Sequence, residues 1–236
     1  MFTFYWVGNN TKGNFGDVLT PKLLDYFNIP YNFQRDHKQE YNAICIGSIL
    51  RHAKPGTHVF GSGFMSRKNS CSPDAIFHLV RGPVTHQILT DRGIDCPAVF
   101  GDPALLLPLL QDESKKIHDV GIVPHESHYE QTLAAYPDYP VINLRTQDAL
   151  ETAKVITQCR SIISGSLHGV IAAHAYGIPA AWVNFGAIKG DGIKFEDHYL
   201  SIGLEAVQST VEEPIFTIGK FDMLPLIEVF KTANTL

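Results

Sequence analysis

A chain of 236 residues with 44% hydrophobic side chains can fill one large core or two smaller ones. Its 19 Lys and Arg against 24 Asp and Glu leave a net charge of −5 with no basic run, which argues against nucleic acid as the main partner, because backbone phosphates need clustered cations. No apolar stretch approaches the ~20 residues of a membrane-spanning helix.

The chain opens with an apolar run, Met1 to Val7, that lacks a basic flank and passes straight into Gly8-Asn9-Asn10. It reads as a strand (2–7) rather than a signal peptide. A helix follows at 17–27, opened by Asp17. Next come strands at 42–47, 58–61 and 75–80, a helix at 83–92 opened by Pro83, and a strand at 97–100. Beyond the polar stretch Gln111–His118 the pattern resumes with strands at 119–123, 140–144, 160–164 and 180–184. Helices are predicted at 147–158, 168–176 and 222–233, and Lys194-Phe195-Glu196-Asp197-His198-Tyr199 reads as a polar–aromatic loop. Runs such as Ser161-Ile162-Ile163-Ser164 and Ala180-Ala181-Trp182-Val183 do not alternate, which suits strands covered on both faces in a parallel sheet. The expected class is α/β. A linker at 111–118 divides the chain into units of about 110 residues, 1–113 and 114–220, with a terminal helix (221–236) packing back on the first unit. Cys45, Cys71, Cys96 and Cys159 form no Cys-x-x-Cys pair, so reduced thiols and a cytoplasmic location are expected.

The glycine-rich and chemically capable clusters fall where predicted strands end. Gly13-Asn14-Phe15-Gly16-Asp17 follows the first strand, Gly61-Ser62-Gly63 the third, Arg81-Gly82-Pro83 the fourth and Gly101-Asp102-Pro103 the fifth. In the second half, Pro124-His125-Glu126-Ser127-His128 and Ser164-Gly165-Ser166-Leu167-His168-Gly169 do the same. Ligands of open parallel sheets bind outside the carboxyl ends of the strands, so two sheets facing across a cleft bring these clusters together.

Each cluster also has a plainer reading. Gly165 to Gly169 suits an anion held on a helix N-terminus, or is a tight turn with His168 facing solvent. Arg81, ending an apolar run, faces either an anionic ligand or a carboxylate such as Asp102. Asp102 is equally a cap for 104–110, and Asp17 a cap for the first helix. His125 and His128 lack a recognisable third ligand, so no metal is expected there.

Asn14-Phe15-Gly16-Asp17, Val80-Arg81-Gly82-Pro83-x-Thr85, Gly101-Asp102-Pro103-Ala104, Ser164-Gly165-Ser166-Leu167-His168-Gly169 and Ala172-Ala173-His174-Ala175-Tyr176-Gly177-Ile178-Pro179, in this order, resemble the polysaccharide pyruvyl transferase family. The resemblance implies two Rossmann-like domains facing across a cleft in a compact, GT-B-like arrangement. It also implies transfer of a pyruvyl group from phosphoenolpyruvate to two hydroxyls of a sugar in a cell-surface polysaccharide or its precursor, giving a pyruvate ketal. Phosphoenolpyruvate is then a co-substrate, no other cofactor is needed, and a lipid-linked acceptor implies peripheral membrane association. The candidate catalytic residues are His168 as acid/base, Asp102 orienting it and Arg81 clamping the anion. Asn14, Asp17, Gly63, His125, Gly165, Ser166, Leu167, Gly169 and Lys194 are candidates for holding the substrates. Some family members carry Arg where this chain has Ser166, which leaves Lys12, Arg145 or Lys194 to supply that charge. Two rivals remain: a glycosyltransferase of the same fold using a nucleotide-sugar, and a glycan- or anion-binding relative without turnover.

Overall fold

The computed structural model describes residues 1–5, 13–34, 36 and 38–235. The fold is α/β with two wholly parallel sheets. The first contains β1 (Phe2–Tyr5), β2 (Tyr31–Gln34), β3 (Ala43–Ile44), β4 (His58–Phe60) and β5 (Ile76–Leu79) in the order β2-β1-β3-β4-β5. The second contains β6 (His118–Val123), β7 (Cys159–Ser164), β8 (Ala180–Val183) and β9 (Gln208–Ser209) in sequential order. Its central register pairs Ile122 with Ile163 and Ile162 with Ala180. These residues are fully buried or nearly so, as the non-alternating runs require of strands covered on both faces.

The helices start where local chemistry says they should. Asn14 caps α1 (Phe15–Tyr26), its side-chain oxygen accepting from the N–H groups of Gly16 and Asp17. Asp17 is therefore not the cap; the helix begins two residues earlier. Pro83 sits in the first turn of α2 (Pro83–Thr90), and Asp148 accepts from Leu150 and Glu151 to open α4 (Ala149–Thr157). The remaining helices are α3 (Tyr129–Ala135), α5 (Leu167–Ala175), α6 (Ile193–Ser201) and α7 (Leu224–Ala233).

Two predicted strands do not form. Segments 97–100 and 140–144 each contribute one isolated bridge, Phe100 to Val80 and Val141 to Ile122. Pro97 and Pro140 head these segments and lack the N–H that a ladder needs. The predicted loop 194–199 is helical, within α6. Trp6 and Val7, the end of the predicted first strand, lie outside the described residues.

One apolar cluster runs through both halves. It joins Phe4, Leu19 and Phe60 to Ile142, Val170 and Ile171 by way of a 3-10 segment, Pro103–Leu109, that packs on α5, α1 and α7. Leu105 and Leu106 of that segment are buried, and truncating either to Ala costs about 2–5 kcal/mol at such positions. Phe230 of α7 stacks on Phe27 at 5.3 Å and so ties the end of the chain to the first half.

Candidate functional site

Strand order places the site. In the first sheet the chain reverses its direction of winding between β1 and β3, and open parallel sheets bind ligands at that switch point. The segments following these two strands, carrying Asn14 and Asp17 after β1 and Gly47, Ser48 and Ile49 after β3, form one wall of a cleft of about 180 Å³. The opposite wall comes from the turns after β6 and β7, with His125, Ser166, Leu167 and His168, and from Lys194 on α6. Both sheets thus present their carboxyl ends to the same space.

His168 lies in the first turn of α5 and is largely enclosed, not solvent-facing. Its Nε2 stands 3.8 Å from Oδ2 of the fully buried Asp102. That is an electrostatic contact, too long for a hydrogen bond. Both atoms are buried and have no other partner among the described residues. The cap reading of Asp102 is seen in the structure: Oδ1 accepts from the Ala104 N–H at 3.0 Å and caps the 3-10 segment, while Oδ2 faces the imidazole. The edge of the ring that carries Nδ1, Cε1 and Nε2 lies against Gly16. A Cβ there would stand 2.8 Å from Nδ1 and closer still to Cε1, so only glycine admits the imidazole in this place.

Arg81 is the largest fully buried side chain, and its partner is not Asp102. Nε donates to Oδ2 of Asp197 at 3.0 Å, one terminal nitrogen donates to Ser48 Oγ at 2.7 Å and the other to the Phe64 carbonyl at 2.8 Å. The guanidinium therefore stands behind the cleft wall, in contact with Ser48, and does not line the cleft. Asp197 also accepts from the Thr85 N–H at 2.9 Å and the Thr85 hydroxyl at 2.6 Å. Gly82 packs on the same carboxylate, where a Cβ would come within 2.6 Å of Oδ1. The Arg81-Gly82-Pro83-x-Thr85 sequence is thus a receptor for Asp197. Gly63 does not reach the cleft either; a Cβ there would meet Arg81 Cζ at 2.5 Å.

Lys194 is nearly buried, lines the cleft, and has no carboxylate paired with its ammonium among the described residues. Burial and the Arg81 guanidinium lower its pKa to about 8. His125 faces the same ammonium. Burial first and then that charge lower its pKa, so the neutral imidazole is favoured, with Nδ1 2.8 Å from Ser127 Oγ. Of the cations expected to stand in for the family's Arg, Lys12 lies outside the described residues and Arg145 leans on Glu126 at 3.7 Å. Lys194 is left.

The N–H groups of the turn from Ser164 to Gly169 are only partly taken up within the described residues. The N–H groups of Gly165 and Ser166 are taken by the Val123 carbonyl and by Ser164 Oγ. Those of Leu167, His168 and Gly169, in the first turn of α5, have no acceptor among the described residues. Gly165 packs on Phe185 and Gly169 on Val123, and neither lines the cleft. Gly165 instead borders a neighbouring cavity of about 330 Å³ with Trp182, Asn184 and Asp191. His125 and His128 stand with ring centres 6.1 Å apart, and no three potential metal ligands cluster among the described residues. All four cysteines are free thiols, and among the described residues no helix is long and apolar enough to cross a membrane.

Sequence reasoning missed Ser48, Met65 and, above all, Asp197. The signal for Asp197 lay in the loop reading of 194–199: a buried Arg requires an acid, and an acid lay unused in that segment.

A family model described as polysaccharide pyruvyl transferase matches residues 10–185. The chain is 30% identical over 202 residues to "Uncharacterized protein L143" of Acanthamoeba polyphaga mimivirus, covering 79% of this chain and 70% of that protein. It is also 30% identical over 192 residues to "Succinoglycan biosynthesis protein ExoV" of Rhizobium meliloti (strain 1021), covering 76% of this chain and 58% of that protein.

Proposed function

The chain belongs to the polysaccharide pyruvyl transferase family, and on that premise we propose that it moves the pyruvyl group of phosphoenolpyruvate onto two hydroxyls of a saccharide, forming a cyclic ketal in polysaccharide biosynthesis. The name of the ExoV relative supports the setting. The observation that carries the reading is the His168–Asp102 pair, two buried and otherwise unpartnered polar atoms facing each other beside open N–H groups and an unpaired ammonium.

The donor carries a phosphate and a carboxylate. The first-turn N–H groups of α5 and its positive dipole end offer one anion site, and Lys194 offers the second charge. In the reaction the methylene carbon of the donor gains a proton and becomes methyl. A sugar hydroxyl attacks the resulting cationic centre, phosphate leaves, and a second hydroxyl closes the ketal. Of the two hydroxyl protons, one ends on the methyl group and one leaves with phosphate. An imidazole, which can both give and take a proton, suits both transfers. With Nε2 turned to Asp102, Nδ1 of His168 is the nitrogen that exchanges protons, while the carboxylate steadies the imidazolium. Arg81 acts from behind the wall through Ser48 rather than as a clamp. The two sheets are read as the two Rossmann-like units of a GT-B-like arrangement divided near residue 113, and the protein as cytoplasmic, meeting any lipid-linked acceptor at the membrane surface.

The test is saccharide-dependent release of phosphate from phosphoenolpyruvate, with the ketal methyl detected by NMR. Thermal shifts with phosphoenolpyruvate, UDP and GDP run alongside. A ligand at a hundred times its Kd stabilises by about 2.7 kcal/mol. Stabilisation by a nucleotide and not by phosphoenolpyruvate would turn the reading to glycosyl transfer.

A further inference from the structure

Lys194 and Asp197 are three residues apart on α6, one turn of the same helix. Lys194 reaches into the cleft, while Asp197 points into the first half of the molecule and is wholly buried there. α6 follows β8 of the second sheet in the chain, yet it packs on α2 of the first half. Ile193 joins the apolar cluster of the first half, and beside it one carboxylate receives Arg81 Nε, the Thr85 N–H and the Thr85 hydroxyl, closed over by Gly82. A second strut lies at the start of the helix, where Asp191 accepts from Ser66 Oγ at 3.0 Å and the Arg67 N–H at 2.8 Å.

We propose that Asp197 is a positioning residue for the reaction: by fastening α6 to the Arg81–Thr85 receptor it sets where the Lys194 ammonium stands in the cleft, and it neutralises the guanidinium behind that ammonium. The inference rests on Lys194 holding an anionic group of the donor, as read above. Removal of the carboxylate acts on Lys194 in two ways. The helix loses its fastening, and Arg81 is left as an uncompensated cation next to a second one. The other charged or titratable groups around the ammonium are Asp17 from α1, His125 and His168 from the turns of the second sheet, and His198 on α6 itself. Burial first, and then the neighbouring charges, disfavour the protonated form of His198, so it adds no further cation beside Lys194 and Arg81.

The experiment reads Lys194 directly. Competitive acetylation by acetic anhydride, followed across pH by mass spectrometry of the peptide containing Lys194, gives the midpoint and the rate of its reaction without any ligand. The wild-type midpoint is expected at about 8. Asp197→Asn is expected to lower it by about one pH unit, the usual size of an unscreened neighbouring charge. Thr85→Val keeps the charges and removes one bond of the fastening. It is expected to leave the midpoint in place and raise the acetylation rate several-fold. Folded variants in which both the midpoint and the rate of Lys194 stay at wild-type values overturn the proposal; if Asp197→Asn does not fold, Thr85→Val decides alone. Phosphoenolpyruvate binding is measured on the same samples. Its absence in the wild type counts against pyruvyl transfer and leaves the labelling result intact. Where it binds, the folded variants are expected to raise KM for phosphoenolpyruvate about tenfold with a smaller change in kcat.

Discussion

Gly16→Ala tests the imidazole's position without touching any group that does chemistry. Gly16 lies in α1 with helical backbone dihedrals, so alanine fits the main chain and favours the helix by about 0.8–1 kcal/mol. The added methyl collides with His168, standing 2.8 Å from Nδ1 where ordinary contact begins at 3.4 Å, and closer to Cε1. Nε2, the atom that faces the buried Asp102 carboxylate, would itself stand 3.0 Å from the added methyl, so any retreat of the ring alters the His168–Asp102 contact. A displacement of roughly 1 Å at a proton-transferring atom costs on the order of a hundredfold in rate, or about 2.7 kcal/mol of transition-state stabilisation. The expected result is a kcat about a hundredfold lower, a KM for phosphoenolpyruvate within about threefold of wild type, and a melting temperature changed by only a few degrees. The assay is initial-rate phosphate release with varied phosphoenolpyruvate, beside a thermal melt. A well-folded Gly16→Ala protein with wild-type kcat would refute the reasoning, since it would mean the ring position seen here is not the one used in turnover.

Three further outcomes follow from the same geometry. His168→Gln is expected to lower kcat by about 10²–10⁴ with little effect on phosphoenolpyruvate affinity; equal loss in binding and turnover would assign it to the anion site instead. Phosphoenolpyruvate affinity is expected to fall as pH rises through about 8, where Lys194 gives up its proton. Calorimetry across pH 6.5–9.5 checks this, and Lys194→Met should bind weakly at every pH with the slope gone. Arg81→Met leaves Asp197 charged and unpaired in the interior and is expected to destabilise by about 3–5 kcal/mol, read as a lower urea midpoint. A variant of wild-type stability would mean that the ion pair is not what holds the buried carboxylate.

What the sequence disclosed was local. Turn and cap chemistry is written within a few residues, so the starts of α2 and α5 and the strand-end position of His125 and His168 were legible. The partners were not. Arg81 and Asp197 are 116 positions apart, and no spacing rule links them. A buried arginine announces that it needs an acid but not which one. α6 escaped notice because six of its nine residues are buried, among them Lys194, Asp197 and His198, so neither an apolar stripe nor a polar face marks it. The strand predicted at 97–100 shrinks to one bridge because only Val99 and Phe100 lean on the core while Pro97 and Ala98 are exposed.

The apolar cluster that joins Phe4 and Phe60 to Val170 and Ile171 through Leu105 and Leu106 has a mechanical meaning. Halves that interdigitate cannot swing apart like the jaws of a hinge without exposing their shared interior to water. Opening and closing of the cleft is therefore left to the segments at its rim, and the scaffold holding His168 against Asp102 stays stiff through the cycle. A chain built this way trades reach for preorganisation: its cleft is assembled before any ligand arrives.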